Sequence, residues 1–132
     1  MLKFDKTTPV LFLVFNRPET TAVVFEEIRK AQPLYLYVAA DGARSPEEQS
    51  KVEQVRDIVQ KVDWDCEVKT LFRAQNLGCR KAVSTAIDWF FSHVEEGIIL
   101  EDDCLPSESF FAFCSHLLAE YLGNDLSRIA NE

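Results

Sequence analysis

Continuous apolar runs alternate with amphipathic stretches along the whole chain. Each run is five to eight residues long, is rich in branched or aromatic side chains, and stops at polar residues or glycine. Such runs predict strands that are covered on both faces of a sheet, although the third run alternates more than the others. The predicted strands span residues 9–16, 34–40, 66–72 and 97–102, and the segment 127–131 has the composition of a further strand.

The segments between these runs carry apolar residues at helical spacing. The first predicted helix begins at Pro18, a residue suited to a first helical turn. The second begins after Ser45, where Pro46 and Glu48 predict a capping box. The inward faces expected for the four helices are Val24, Phe25, Ile28 and Ala31; Val52, Val55, Val59 and Val62; Ala82, Val83, Ala86, Ile87 and Phe90; and, between 107 and 122, Phe110, Phe113, Cys114, Leu117 and Tyr121.

This repetition of strand and helix determines the expected fold class. Short connections between alternating strands and helices are typical of right-handed βαβ units. We therefore predict an α/β fold with an open, mostly parallel sheet and helices on both faces. No linker, repeat or low-complexity segment divides the chain, so residues 1–132 are expected to form a single domain.

Composition narrows the classes of function. The chain has 132 residues and a formal net charge of -8. An acidic chain without a basic stripe is poorly suited to nucleic acid, so we expect no nucleic-acid partner. The four cysteines have no metal-like spacing and are typical of reduced thiols, which predicts a cytoplasmic protein. The apolar run 10–15 is too short to cross a membrane, so any association with the cytoplasmic membrane face would be made by parts outside this chain.

Several familiar phosphate-binding and hydrolytic motifs are absent. The glycines stand at positions 42, 78, 97 and 123, and this spacing allows neither GxGxxG nor a P-loop. GxSxG and HExxH are also missing. If this chain binds phosphates, side-chain cations and a metal ion must do what backbone amides do in those folds.

Polar residues gather instead at the carboxyl ends of the predicted strands. Ligands of open parallel sheets bind at that edge, because the loops after the strands meet there. All four strands end in this way, so the four polar groups are expected on one rim. They are Asn16-Arg17, Asp41-Gly42, Arg73 to Asn76, and Glu101-Asp102-Asp103.

The three consecutive carboxylates after the fourth strand favour a divalent cation. Three like charges at a strand end repel one another, and a bound cation relieves that repulsion. Strand alternation places Glu101 and Asp103 on one side and Asp102 on the other. Oxygen ligands of this kind suit Mg²⁺ or Mn²⁺. The alternative is a solvated acidic turn close to the start of a helix, where negative charge is also favourable.

The other rim residues are each open to two interpretations. Asp41 before Gly42 is typical of a turn, but a carboxylate there also suits a base N–H or a ribose hydroxyl. Arg17 and Arg80 stand at helix starts, where a cation opposes the helix dipole. Such cations would complete a pyrophosphate site, or they would simply point into solvent.

The ordered set of motifs resembles a known family. VFNRP after the first strand, AADG after the second, NLG before the third helix and ILEDD after the fourth strand are similar to the nucleotide-sugar half of GT-A glycosyltransferases. The likeness is greatest to the N-acetylglucosaminyltransferase I type, whose metal motif is also EDD. It extends from about Pro9 to Tyr121.

The resemblance implies a role for each rim residue. Asp103 would bind the Mn²⁺ or Mg²⁺ that bridges the donor diphosphate, with Glu101 near the ribose or sugar and Asp102 in support. Arg17 would lie near the nucleotide, and Asp41 would recognise the base. Asn76 and Arg80 would flank the nucleotide. The resemblance implies transfer of a sugar from a nucleotide sugar, a UDP-sugar in the first instance, to an acceptor that the sequence does not identify.

The chain is shorter than catalytic domains of this family, whose second half supplies the acceptor groove and the general base. We therefore expect a portion of a longer enzyme, incomplete for catalysis, whose base lies outside this chain. Two alternatives remain open: a nucleotide-binding module without catalysis, and a Mg²⁺-binding, receiver-like signalling domain. The receiver-like alternative calls for an acidic pair after the first strand, where this chain has Asn16-Arg17.

Overall fold

A computed structural model describes residues 3–120 and 128–130 of the protein. Within them, strands and helices alternate as the apolar pattern predicts. In chain order the elements are β1 (Val10–Val14), α1 (Pro18–Ala31), β2 (Tyr35–Ala40), α2 (Pro46–Val59), β3 (Glu67–Phe72), α3 (Cys79–Phe91), β4 (Gly97–Glu101), α4 (Glu108–Glu120) and β5 (Arg128–Ala130).

The strands form one open parallel sheet in the order β3-β2-β1-β4-β5. Every pair of neighbouring strands is parallel, and Leu13 of β1 lies beside Ala39 of β2 on one side and Glu101 of β4 on the other. The α/β prediction is therefore confirmed. The short β5, at the edge next to β4, confirms that the segment 127–131 contains a strand.

The helices cover both faces of this sheet. α1, α2 and α4 pack against one face, around Phe12, Val38 and Leu100, and α3 packs against the other, around Leu11 and Tyr37. The chain first builds β2 and β3 to one side of β1, then returns through α3 to place β4 on the other side. A right-handed connection that reverses direction must cross the opposite face, which explains why α3 lies on the other face from α1 and α2.

The inward face predicted for α4 is wrong by about one residue. Phe111, Cys114 and Leu118 are fully buried, whereas Phe113 is 51% exposed. The two sets of residues have the same helical spacing, and α4 is apolar almost all round, so spacing alone does not select the buried face. Of the residues expected inside, Phe110 and Leu117 are half-buried, Cys114 is buried, and Tyr121 lies outside the described residues.

The capping box predicted at the start of α2 does not form. Ser45 occupies the N-cap position but makes no side-chain capping hydrogen bond. The Glu48 carboxylate instead accepts hydrogen bonds from the backbone and side chain of Arg44 and from the side chain of Asn16. The charged guanidinium offers Glu48 a stronger partner than a backbone N–H does. α2 also ends before Val62, which packs against the core from the loop that follows.

No described helix is both long enough and apolar enough to cross a membrane.

Candidate functional site

A cavity of about 320 Å³ opens at the carboxyl edge of the sheet. It is lined by the ends of β1 to β4 and the first turn of α3. Its floor is partly apolar, formed by side chains such as Leu13, Ala39 and Val83. β1 lies between β2 and β4, and the order of the strands reverses at this point of the sheet. Open α/β sheets bind ligands in the crevice at such a reversal, which is where this cavity lies.

The structure brings most of the predicted site residues to this cavity. Six of the seven line it: Arg17, Asp41, Asn76, Glu101, Asp102 and Asp103. Arg80 is exposed and is not part of the lining. Cys79, Ala82 and Val83 face the cavity, and the next residue after Cys79 points about 100° away around the helix.

Glu101 and Asp103 lie close together as predicted, although a turn after the strand, and not strand alternation, brings them there. β4 ends at Glu101, and the chain then turns, with Cys104 N donating to the Glu101 carbonyl over 3.3 Å. One carboxylate oxygen each from Glu101 and Asp103 and the Cys104 sulfur lie within 4.8 Å of one another. These three side chains are close enough to hold one metal ion.

Asp102 lines the cavity but is not part of this cluster. Burial raises the pKa of its carboxyl group, while Arg17, a hydrogen bond from the Phe15 backbone and one from its own N–H act in the opposite direction. The supporting role expected for Asp102 stays a prediction.

Arg17 connects the end of β1 to the end of β4. Its Nη1 lies 3.5 Å from Asp103 Oδ2, and both side chains are about half exposed, at 57% and 51%. The residue is also the N-cap of α1, where its carbonyl accepts the Thr21 N–H and its side chain makes no capping bond. The guanidinium is therefore available at the mouth of the cavity, held by one long ion pair.

Asp41 holds a loop as well as lining the cavity. It is only 8% exposed, and its Oδ1 accepts hydrogen bonds from the N–H groups of Gly42 (2.9 Å) and Leu77 (2.8 Å). Asn76 Nδ2 donates to Asp41 Oδ2 over 3.1 Å and to the Gly42 carbonyl over 2.8 Å. Asp41 therefore stabilises its own turn, through Gly42, and also the loop after β3, through Asn76 and Leu77.

Two further arginines line the cavity. Arg44 lies over the ring of Phe15, 5.4 Å from its centroid, and pairs with Glu48. Hydrogen bonds from the Arg44 side chain and backbone lower the pKa of Glu48 to about 2. Arg73 donates from Nη2 to the Thr85 hydroxyl over 2.9 Å.

Of the arginines that line the cavity, the sequence pattern predicts a role for Arg17 alone. Arg73 falls in the polar group after the third strand without an assigned role, and Arg44 is not predicted, because position at a helix start favours Arg17 and Arg80. The signal available was position in a strand-end loop, which Arg44 and Arg73 share and Arg80 does not. The cavity thus combines Arg17, Arg44 and Arg73 with four carboxylates, a set that suits a polyanion held together with a cation.

No protein-family model matches the chain, and no curated protein matches its sequence.

Proposed function

We propose that this chain is the donor-binding part of a metal-dependent glycosyltransferase that uses a nucleotide diphospho-sugar, with UDP-sugars as the first class to test. The observation that carries the proposal is the convergence of Glu101 and Asp103 at the crevice between β1 and β4. A diphosphate needs a cation in such an acidic place, and two carboxylates at the cavity edge are the residues that would hold it.

The donor atoms at this cluster fit Mn²⁺ or Mg²⁺. Two hard carboxylate oxygens suit either ion, and the Cys104 thiol is a softer donor that favours a transition metal over Mg²⁺. When bound, such an ion supplies Lewis-acid stabilisation of the departing diphosphate. Asp103 is the proposed principal ligand, and Glu101, whose carboxylate lies in the same cluster, can join it or face the ribose or the sugar.

The rest of the cavity offers complementary groups for the nucleotide. Arg17 stands beside Asp103 at the mouth, where a guanidinium can bind a phosphate oxygen in exchange for its 3.5 Å ion pair. The apolar floor around Leu13, Ala39 and Val83 suits the face of a base. Asp41 Oδ2 accepts the Asn76 amide, and its second lone pair is the proposed acceptor for a base N–H.

The proposed reaction is transfer of the donor sugar to an acceptor hydroxyl. We assign no general base to the described residues, and we propose that it comes from a part of the enzyme outside this chain. The acceptor class is left to experiment. We further propose a cytoplasmic location, in keeping with four cysteines that form no disulfide.

Titration calorimetry with UDP, with and without Mn²⁺, tests the proposal. We expect UDP binding that strengthens with Mn²⁺ in the wild-type chain and loses this dependence in Asp103→Asn, because the substitution removes the charged metal ligand. The effect expected is at least about tenfold in Kd, or about 1.4 kcal/mol.

Asp57→Asn is the matched control, since it makes the same change of charge at an exposed position of α2 outside the cavity. It should bind UDP and Mn²⁺ as the wild type does. Absence of UDP binding, or binding that ignores both Mn²⁺ and Asp103→Asn, contradicts the proposal.

A further inference from the structure

Arg56 joins the ends of two strands behind the cavity. It belongs to α2, and its Nη2 donates to the carbonyls of Asp41, over 3.2 Å, and Arg73, over 2.7 Å. These residues directly follow β2 and β3, and the Arg73 N–H makes a further bond to Ala40 over 2.9 Å. One guanidinium nitrogen therefore continues the β2–β3 connection past the point where the strands end.

The surroundings of Arg56 are those of a fixed side chain. Its guanidinium lies over the Phe72 ring, 5.1 Å from the centroid. Its Nε is buried and has no hydrogen-bond partner among the described residues. Burying a cation with one donor unpaired is costly, so the two carbonyl contacts and the ring contact must offset that cost. A flexible surface arginine would avoid the cost by turning into solvent.

Both carbonyls that Arg56 holds belong to residues whose side chains line the cavity. Asp41 in turn binds the N–H groups of Gly42 and Leu77 and the amide of Asn76. Arg56 therefore holds the backbone of Asp41, and the Asp41 carboxylate holds the loop that follows β3. Among the described residues, no hydrogen bond or ion pair joins Arg56 to the opposite wall, with Glu101 and Asp103.

We propose that Arg56 is a positioning residue that sets the wall of the cavity formed by Asp41, Arg73 and the loop 75–77. This inference rests on the proposed function, because it takes this wall to be the part of the cavity that binds the nucleoside. Arg56 touches no ligand itself. It keeps the ends of β2 and β3 together, so that the Asp41 carboxylate and the Arg73 guanidinium face the same space.

The first test separates the two sides of the cavity. In Arg56→Met, which keeps much of the side-chain volume and removes the donors, we expect UDP to bind about tenfold more weakly. Mn²⁺ affinity measured without nucleotide should stay within about twofold of wild type. Arg56→Lys, whose single ammonium replaces the planar fork, should fall between wild type and Arg56→Met.

Val59→Ala is the stability control for this comparison. Val59 is fully buried in the same helix and is not part of the cavity lining, so its truncation destabilises α2 without touching the strand ends. It should leave UDP affinity close to wild type. Equal loss of UDP affinity in Val59→Ala and Arg56→Met would reduce Arg56 to a general stabiliser and overturn the inference.

A second test needs no nucleotide. Amide hydrogen exchange of Gly42 and Leu77, which both donate to Asp41, should be about tenfold faster in Arg56→Met than in Val59→Ala, while β1 amides exchange alike in both. Unchanged exchange at Gly42 and Leu77 overturns the positioning role. If wild-type protein fails to bind UDP but the exchange result holds, the proposed function fails and the role of Arg56 in fixing this wall stands.

Discussion

At the scale of single residues, the site depends on contacts between loops that are far apart in the sequence. Asp41 binds Leu77 and Asn76, 36 and 35 positions away. The fit is tight at Gly42, where an added Cβ would lie 2.5 Å from the Gln75 carbonyl carbon and 2.8 Å from its oxygen. Both are backbone atoms, which do not turn aside as the end of a flexible side chain does. The glycine is therefore required by close approach of two loops.

Gly42→Ala should therefore displace the loop 75–77 and weaken UDP binding. We expect a loss of about 1–3 kcal/mol in the free energy of unfolding, the usual cost of overpacking. Urea denaturation and UDP titration check the two effects.

Gly78→Ala is the comparison for this prediction. Gly78 has a φ of +88°, but an added Cβ there meets nothing within 4 Å. With its ψ of 154°, Gly78 adopts a conformation that is essentially confined to glycine, so Gly78→Ala should lose about 1–3 kcal/mol through backbone strain alone, without the displacement of Gln75 and Asn76. Gly42→Ala protein with wild-type stability would show that the loop yields easily and contradict the prediction.

At the scale of elements, α4 shows that helical spacing alone does not identify the buried face of a helix that is apolar almost all round. Phe110, Phe111 and Phe113 all stand within one turn, and only Phe111 is fully buried. Phe111 packs edge-on against Phe4, with ring centroids 5.4 Å apart, and Ser115 accepts the Asp5 N–H over 3.1 Å. Contacts with the segment before β1 therefore contribute to the rotation of α4, and the sequence of the helix alone does not reveal them.

Truncating the two phenylalanines separately tests this rotation. Phe111→Ala should cost about 3–5 kcal/mol of unfolding free energy, because it leaves a cavity in the core. Phe113→Ala, at a side chain that is 51% exposed, should change it by less than about 0.5 kcal/mol. The two values come from chemical denaturation of otherwise identical chains. A larger loss at Phe113 would mean that the helix is rotated the other way, and equal losses would contradict the difference in burial.

At the scale of the whole molecule, the carboxyl edge is held together by charged contacts that depend on pH. Glu48 receives hydrogen bonds from Arg44 and Asn16, and so ties the loop after β2 to the end of β1. These bonds lower its pKa from 4.5 to about 2. A carboxyl group with a lowered pKa stabilises the fold above its unfolded pKa and loses that contribution as pH falls through the folded value.

The difference in unfolding free energy between wild type and Glu48→Gln should therefore be largest above pH 4.5 and shrink as the pH falls to about 2. Denaturation curves across that window measure it. Glu47→Gln is the control, since Glu47 is exposed in the same helical turn and makes none of the Glu48 contacts to Arg44 or Asn16. A Glu48→Gln difference that stays constant with pH would contradict the assigned contacts.

The sequence by itself determined the fold class, the strands and the edge of the sheet where the site lies. Apolar runs and helical spacing are local properties, and parallel strands must end at one edge, so Arg17, Asp41 and the triplet 101–103 were predictable from position alone. The family resemblance, the metal and the donor remain proposals.

Only the tertiary structure decided which side chains meet. It placed Arg44 and Arg73 at the cavity and Arg80 outside it, bound Asp41 to the loop after β3, and put Arg56 behind both strand ends. It also determined that Phe111, and not Phe113, is the buried residue of α4, and that Glu48 pairs with Arg44 instead of completing a capping box. These outcomes follow from contacts between residues distant in the chain, where packing and charge pairing outweigh the local preferences that a sequence pattern expresses.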